Sequence, residues 1–110
     1  KPNTDDIRES TSIKIANLLS RAGIEINCYD PVSMDNAKKK FPNFIYCQSA
    51  YDACVKVDAI IICTEWDEFR ALNFLKIKEN INQSVIYDLR NIYNKSDLEK
   101  VGFKYYGIGK

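Results

Sequence analysis

No histidine occurs anywhere in the sequence, so the side chain that most often serves as zinc ligand and as general base near neutral pH is missing. The four cysteines, Cys28, Cys47, Cys54 and Cys63, include no Cys-x-x-Cys pair, and the usual zinc spacing is therefore absent as well. No metal is expected. Their even number is compatible with two disulfides, but they fall in stretches that read as strand or buried helix, where reduced core thiols fit better. A nucleophilic Cys or Ser would have to give its proton to Lys, Asp or Glu, and no such catalytic set emerges. Charge of one sign is lacking too. Lys and Arg number 16 against 15 for Asp and Glu, a net charge of +1, which leaves no global field to draw nucleic acid or an anionic membrane. Any anion site must be local. No apolar run approaches the roughly 20 residues that cross a bilayer, and Lys1-Pro2-Asn3-Thr4-Asp5-Asp6 lacks the apolar core of a signal peptide. A soluble, cytoplasmic protein is expected. Finally, no Gly-x-Gly-x-x-Gly follows Lys1, so the chain is not expected to bind a dinucleotide by itself.

What is present suffices for one core. With 110 residues, 45% of them hydrophobic, burial of roughly two-thirds of the unfolded surface supports a single domain over residues 1–110. From Asp5 to Ala22 the apolar residues Ile15, Leu18, Leu19 and Ala22 form one helical stripe that stops at Gly23. Ile24 to Tyr29 reads as a strand closed by Asp30-Pro31, and Ser33 can cap a second helix that ends at Phe41-Pro42. Phe44–Cys47 then reads as strand and Ser49 to about Lys56 as helix. Ala59–Cys63 is a continuous apolar run of the kind buried on both faces of a parallel sheet. One or two helical pieces over Trp66–Asn80 precede a strand at Val85–Asp88, a short helix at Ser96–Lys100 and a last strand at Phe103–Tyr106. Strand and helix alternate throughout, so the fold class is α/β, a Rossmann-like three-layer domain with a mainly parallel sheet. The chain opens on a helix, whereas a right-handed βαβ unit needs a strand first. The first, central strand of the sheet is therefore expected to be lacking, leaving unpaired edges or a shifted pairing.

In doubly wound sheets ligands lie beyond the carboxyl ends of the strands, near the point where strand order reverses. Lys1, the loop Thr64-Glu65-Trp66-Asp67 and the loop Asp88-Leu89-Arg90-Asn91 all belong to that edge. In the order 3-2-1-4-5-6, Lys1 and Arg90 flank the Thr64–Asp67 loop. A forked guanidinium and a mobile ammonium suit a pyrophosphate. The pattern leaves open the plainer alternative, that these cations are solvated or paired with Asp and Glu. Asp30 stands where a ribose-binding acid would, but Asp-Pro is also a turn former, and that is the simpler role. Glu65 and Asp67 could pair as acid and base, although capping the helix that begins at Trp66 explains them more simply. Trp66, Phe69 and Tyr105-Tyr106 read as core or interface aromatics.

The stretch Lys1-Pro2-Asn3-Thr4-Asp5-Asp6-Ile7-Arg8-Glu9-Ser10 resembles the opening of the C-terminal domain in the UDP-glucose/GDP-mannose dehydrogenase family. Tyr29-Asp30-Pro31, Thr64-Glu65-Trp66-Asp67-Glu68-Phe69, Asp88-Leu89-Arg90-Asn91 and Tyr106-Gly107-Ile108-Gly109 follow in the family's order and spacing. Together they cover nearly the whole chain, and Thr-Glu-Trp-x-Glu-Phe is most similar to the UDP-glucose branch. The GDP-mannose and UDP-N-acetylmannosamine branches match less well. The resemblance implies a larger enzyme, a homodimer or higher, in which an N-terminal Rossmann domain binds NAD and a central helical region holds the catalytic Cys. This domain would close over UDP-glucose. The family oxidises the sugar's C6 hydroxyl twice with two NAD, through a cysteine-linked intermediate, so no catalytic residue is expected here. By position, Lys1 and Arg90 resemble the family's substrate-binding residues and Arg8 the arginine that touches the NAD pyrophosphate. Many relatives have Gly where this chain has Leu89. If that position needs a positive φ, Leu would strain the Arg90 loop. The competing class is a free-standing α/β nucleotide-binding module that shares the fold. A protein-interaction domain is disfavoured, because the sequence marks no exposed apolar patch.

Overall fold

The computed structural model describes residues 11–32 and 34–108. The helix expected from Asp5 is thus described from Thr11, and the cap expected of Ser33 lies outside the described residues. Two compact units divide the chain, one ending at Ala53 and the other beginning at Cys54.

In the first unit, helix α1 (Thr11–Arg21) stops where the sequence places its stop. Gly23 adopts φ +89°, its N–H donates to Ser20 O at 3.0 Å, and Ile24 N–H donates to Leu19 O at 3.1 Å. These are the two bonds of a Schellman motif, which satisfies carbonyls the helix leaves over. Strand β1 (Asn27–Cys28) is shorter than the expected Ile24–Tyr29 run. It pairs in parallel with β2 (Ile45–Tyr46), and it ends where Asp30 Oδ1 accepts a hydrogen bond from Val32 N at 2.8 Å. Asp30 therefore organises the Asp-Pro turn. Helix α2 (Met34–Lys40) carries Lys38, Lys39 and Lys40 in its last turn, a placement its dipole favours, and Pro42 cannot continue it. Helix α3 (Ala50–Ala53) is capped by Ser49, whose Oγ accepts from Asp52 N at 3.0 Å. Phe44 is buried and stacks on Phe41 at 5.4 Å between ring centroids. Tyr46 donates its hydroxyl to Phe41 O at 2.7 Å. Burial, helped by the neighbouring Cys28, pushes the Tyr46 phenol up to about 12.

In the second unit, three parallel strands, β3 (Ile60–Ile62), β4 (Val85–Asp88) and β5 (Lys104–Gly107), pair in sequence order. Helices α4 (Asp67–Arg70) and α5 (Phe74–Lys78) join β3 to β4, and α6 (Lys95–Val101) joins β4 to β5. A sheet that grows in one direction by right-handed crossovers collects its helices on one face. The burial follows that rule. Ile62, Ile86 and Tyr105 share one face of the sheet by their register, and they are buried along with Phe69, Phe74, Ile77 and Leu98 of the helices. Phe74 meets Tyr93 and Phe103 edge-on at 5.0 and 5.6 Å. The other face carries Ile61, Tyr87 and Tyr106, which lie in register and are 36%, 42% and 51% exposed. Ile61 corrects the expectation that the apolar run Ala59–Cys63 is buried on both faces.

The class is α/β with parallel, open, Rossmann-like sheets. The described strands pair as β1–β2 in one sheet and as β3–β4–β5 in the other. Among the described residues no helix is long and apolar enough to cross a membrane.

Candidate functional site

The polar residues at the carboxyl edge of β3–β4–β5 are organised around Asp88, the last residue of β4. Its side chain is fully buried and accepts three hydrogen bonds. Oδ1 takes Arg90 N at 3.1 Å, while Oδ2 takes Tyr93 N at 3.0 Å and the Tyr105 hydroxyl at 2.7 Å. A buried carboxylate satisfied by two backbone amides and a phenol fixes the loop that follows it. Tyr105 is raised above its ordinary pKa, first by burial and then by this bond and the Asp88 charge.

The loop carries Arg90. Leu89 N donates to Ile62 O at 3.0 Å, tying the loop to β3. The positive φ falls on Asn91, at 53°, and among described residues other than glycine only Lys56 shares that sign. Leu89 therefore has no left-handed backbone to strain it. Asn tolerates the left-handed region better than most residues, and Asn91 Nδ2 also donates to Ile108 O at 2.9 Å. The Arg90 backbone is thus held from both sides.

The Arg90 guanidinium reaches back across the edge to the loop after β3, where Nη2 meets Glu65 Oε1 at 2.7 Å. Of the two readings the sequence leaves open for Arg90, pairing with an acid is the one the structure displays. The expectation that Glu65 caps the next helix is corrected as well. Trp66 occupies the N-cap of α4 with no side-chain cap bond, and Asp67 pairs with Arg70 at 3.2 Å within the first turn. The Arg90 charge is also felt by Cys63, whose thiol burial pushes up to about 11 while Arg90 pulls the other way. A thiol so raised is a poor nucleophile. None of the four cysteines, all of them among the described residues, is in a disulfide, and Cys54 is buried while the others are half-buried.

Of the residues proposed from sequence, Arg90 is placed at this edge, whereas Lys1 and Arg8 lie outside the described residues. Asn73 and Asn94, which cap α5 and α6 by accepting from Lys76 N and Asp97 N, each at 3.2 Å, were missed. Asn ahead of a helical stretch was the available signal. The residues at hand do not fit a dinucleotide cradle. The sequence has no Gly-x-Gly-x-x-Gly, and Asp30 is engaged in its turn.

A parallel sheet that holds an arginine at its carboxyl edge is the arrangement of α/β domains that take phosphorylated ligands beyond the strand ends. Residues 1–95 match the UDP-glucose/GDP-mannose dehydrogenase family, UDP binding domain, and the chain belongs to this family. It is 43% identical over its whole length to a UDP-glucose 6-dehydrogenase of Rhizobium meliloti, covering 25% of that protein. It is 40% identical, over 99% of the chain and 26% of the relative, to that of Rickettsia conorii. To that of Pseudomonas aeruginosa it is 34% identical over all of the chain and 26% of the relative. The chain thus spans about a quarter of the length of the curated relatives it matches. A solved UDP-D-ManNAc dehydrogenase from Pyrococcus horikoshii shares the fold, with a TM-score of 0.53 and 21% identity over 86% of this chain and 29% of that one.

Proposed function

We propose that residues 1–110 are the nucleotide-sugar-binding domain of an NAD-dependent UDP-glucose 6-dehydrogenase. The enzyme would convert UDP-glucose, two NAD+ and water to UDP-glucuronate and two NADH with release of protons. In this reading the chemistry is done elsewhere. The N-terminal domain of the same cytoplasmic enzyme binds NAD, a central helical region supplies the cysteine nucleophile and the dimer contacts, and this domain grips the UDP moiety. The carrying observation is Arg90, held at the carboxyl edge of β3–β4–β5 by a loop that hangs on buried Asp88. A guanidinium with a fixed backbone is suited to a diphosphate. Lys1 is the second cation for substrate, and Arg8 reaches the NAD pyrophosphate across the domain boundary.

Calorimetric titration with UDP, UDP-glucose, GDP and NAD, repeated on Lys1→Ala and Arg90→Ala, tests the reading. Preference for the uridine compounds, weakened at least about tenfold in Arg90→Ala, is the expected result. Preferential binding of GDP, or uridine binding indifferent to Arg90, would overturn it.

A further inference from the structure

The Arg90 backbone is pinned at Asp88 and its neighbours at Ile62 and Ile108, but backbone anchoring does not aim a side chain with four rotatable bonds. One contact does so, the 2.7 Å bond from Nη2 to Glu65 Oε1. It joins residues 25 apart, each in the loop that follows one of two adjacent parallel strands. The partners are 39% and 32% exposed, and an ion pair so open to water adds little to stability. A structural reason for the pair is therefore weak, and a geometric one is strong. The guanidinium has five N–H donors in a rigid plane. Anchoring it at one nitrogen narrows the orientations open to the rest. An acid beside an anion site also carries a penalty, because its charge opposes an incoming phosphate.

We propose that Glu65 is the positioning residue of this site. Oε1 holds the Arg90 guanidinium at the carboxyl edge of β3–β4–β5, so that the diphosphate of the nucleotide sugar meets a group already aimed. The inference rests on the reading of Arg90 as a phosphate-binding residue. It assigns Glu65 its part through the acceptor oxygen and not through its charge, which separates Gln from Ala at this position.

The test uses the intact dehydrogenase and UDP as a competitive inhibitor against UDP-glucose. Its Ki is compared among the parent protein, Glu65→Gln, Glu65→Ala, Arg90→Ala and the double variant Glu65→Ala/Arg90→Ala. The expected results are a Ki raised about 3- to 10-fold in Glu65→Ala and within about twofold of the parent in Glu65→Gln, as loss and retention of one charge-assisted hydrogen bond require. The double variant should match Arg90→Ala, since Glu65 acts only through Arg90. An unchanged or lowered Ki in Glu65→Ala, while Arg90→Ala raises it, would remove Glu65 from the site and leave the role of Arg90 standing. An equal loss from Glu65→Ala with or without Arg90, or a Gln variant as weak as Ala, would also overturn positioning through the acceptor. A Ki indifferent to Arg90→Ala would fell the reading of Arg90 itself, and the inference with it.

Discussion

Tyr105 donates its hydroxyl hydrogen to Asp88 Oδ2 at 2.7 Å, linking the middle of β5 to the end of β4 where both side chains are withdrawn from water. The same Asp88 carboxylate receives the amides of Arg90 and Tyr93, so one residue holds the sheet edge and the candidate site together. Replacing Asp88 by Ala strands two backbone donors, while the Tyr105 hydroxyl keeps Tyr93 O at 3.1 Å as an acceptor. At about 1–3 kcal/mol for each buried group left without a partner, urea denaturation should reveal a loss of at least about 2 kcal/mol. Tyr105→Phe removes one donor and leaves Oδ2 with the Tyr93 amide, so its loss should stay near about 1 kcal/mol. Equal losses in the two variants would mean that the amides are satisfied in some other way.

Two glycines end helices in the left-handed region, and they differ in surroundings. Gly23, at φ +89°, has open space where a Cβ would go, whereas at Gly102, φ +104°, a Cβ would land on the Lys78 ammonium. That ammonium donates to Val101 O at 2.9 Å, a carbonyl at the end of α6. Gly23→Ala should cost about 1–2 kcal/mol from the backbone alone. Gly102→Ala should cost about 1 kcal/mol more, because Lys78 must move and give up its bond. Urea midpoints of the two variants, compared with that of Gly102→Ala/Lys78→Met, read the difference directly. The added Lys78 change should make little further difference.

The strands and their order were legible because Ile60–Ile62 and Val85–Tyr87 are apolar runs of strand length, and parallel pairing in sequence order follows from the helices between them. Strand ends were less so. Ile24–Tyr29 shrinks to Asn27–Cys28 because β1 pairs with β2 alone among the described residues, and Asp30 turns the chain immediately afterwards. The site was half legible. Arg90 can be read from the loop after a buried strand, but Asp88 gives no sign in the sequence that its partners are Arg90, Tyr93 and Tyr105. Glu65 was assigned to its nearest helix on local grounds, and a partner 25 residues away overrode that choice. Ile61 misled because an apolar run does not reveal which of its alternating side chains the crossover helices cover.

Alkali should loosen the fold through its tyrosines. Burial raises Tyr46 from 10.0 to about 12. Tyr93 is also raised, first by burial and then by the Asp88 charge, and its hydroxyl donates to Phe69 O at 2.5 Å. The folded protein keeps these phenols neutral at pH values where the unfolded chain has already released its protons. Their contribution is complete below pH 10 and declines as the pH climbs from there toward about 12 for Tyr46. Urea midpoints measured through that range should fall, and the fall should be shallower in Tyr46→Phe, which has no proton to lose. A slope unchanged by Tyr46→Phe would take Tyr46 out of the alkaline sensitivity and leave it to Tyr93, Tyr105 and the other groups that lose a proton in that range.

Cys63 reports on the charge of the site without being part of its chemistry. Burial pushes its thiol up to about 11, and the Arg90 guanidinium keeps it from rising further. Near neutral pH the thiolate fraction is then well below that of an unperturbed cysteine, and alkylation by iodoacetamide, followed by mass spectrometry of the Cys63 peptide, should be slower by at least about tenfold. Arg90→Gln withdraws the one charge that favours the thiolate, so alkylation should slow again. Glu65→Gln leaves Arg90 in place and removes the negative charge beside it, so alkylation should quicken. If Arg90→Gln quickens it instead, access to the sulfur and not its ionisation sets the rate, and Arg90 shields Cys63 by bulk.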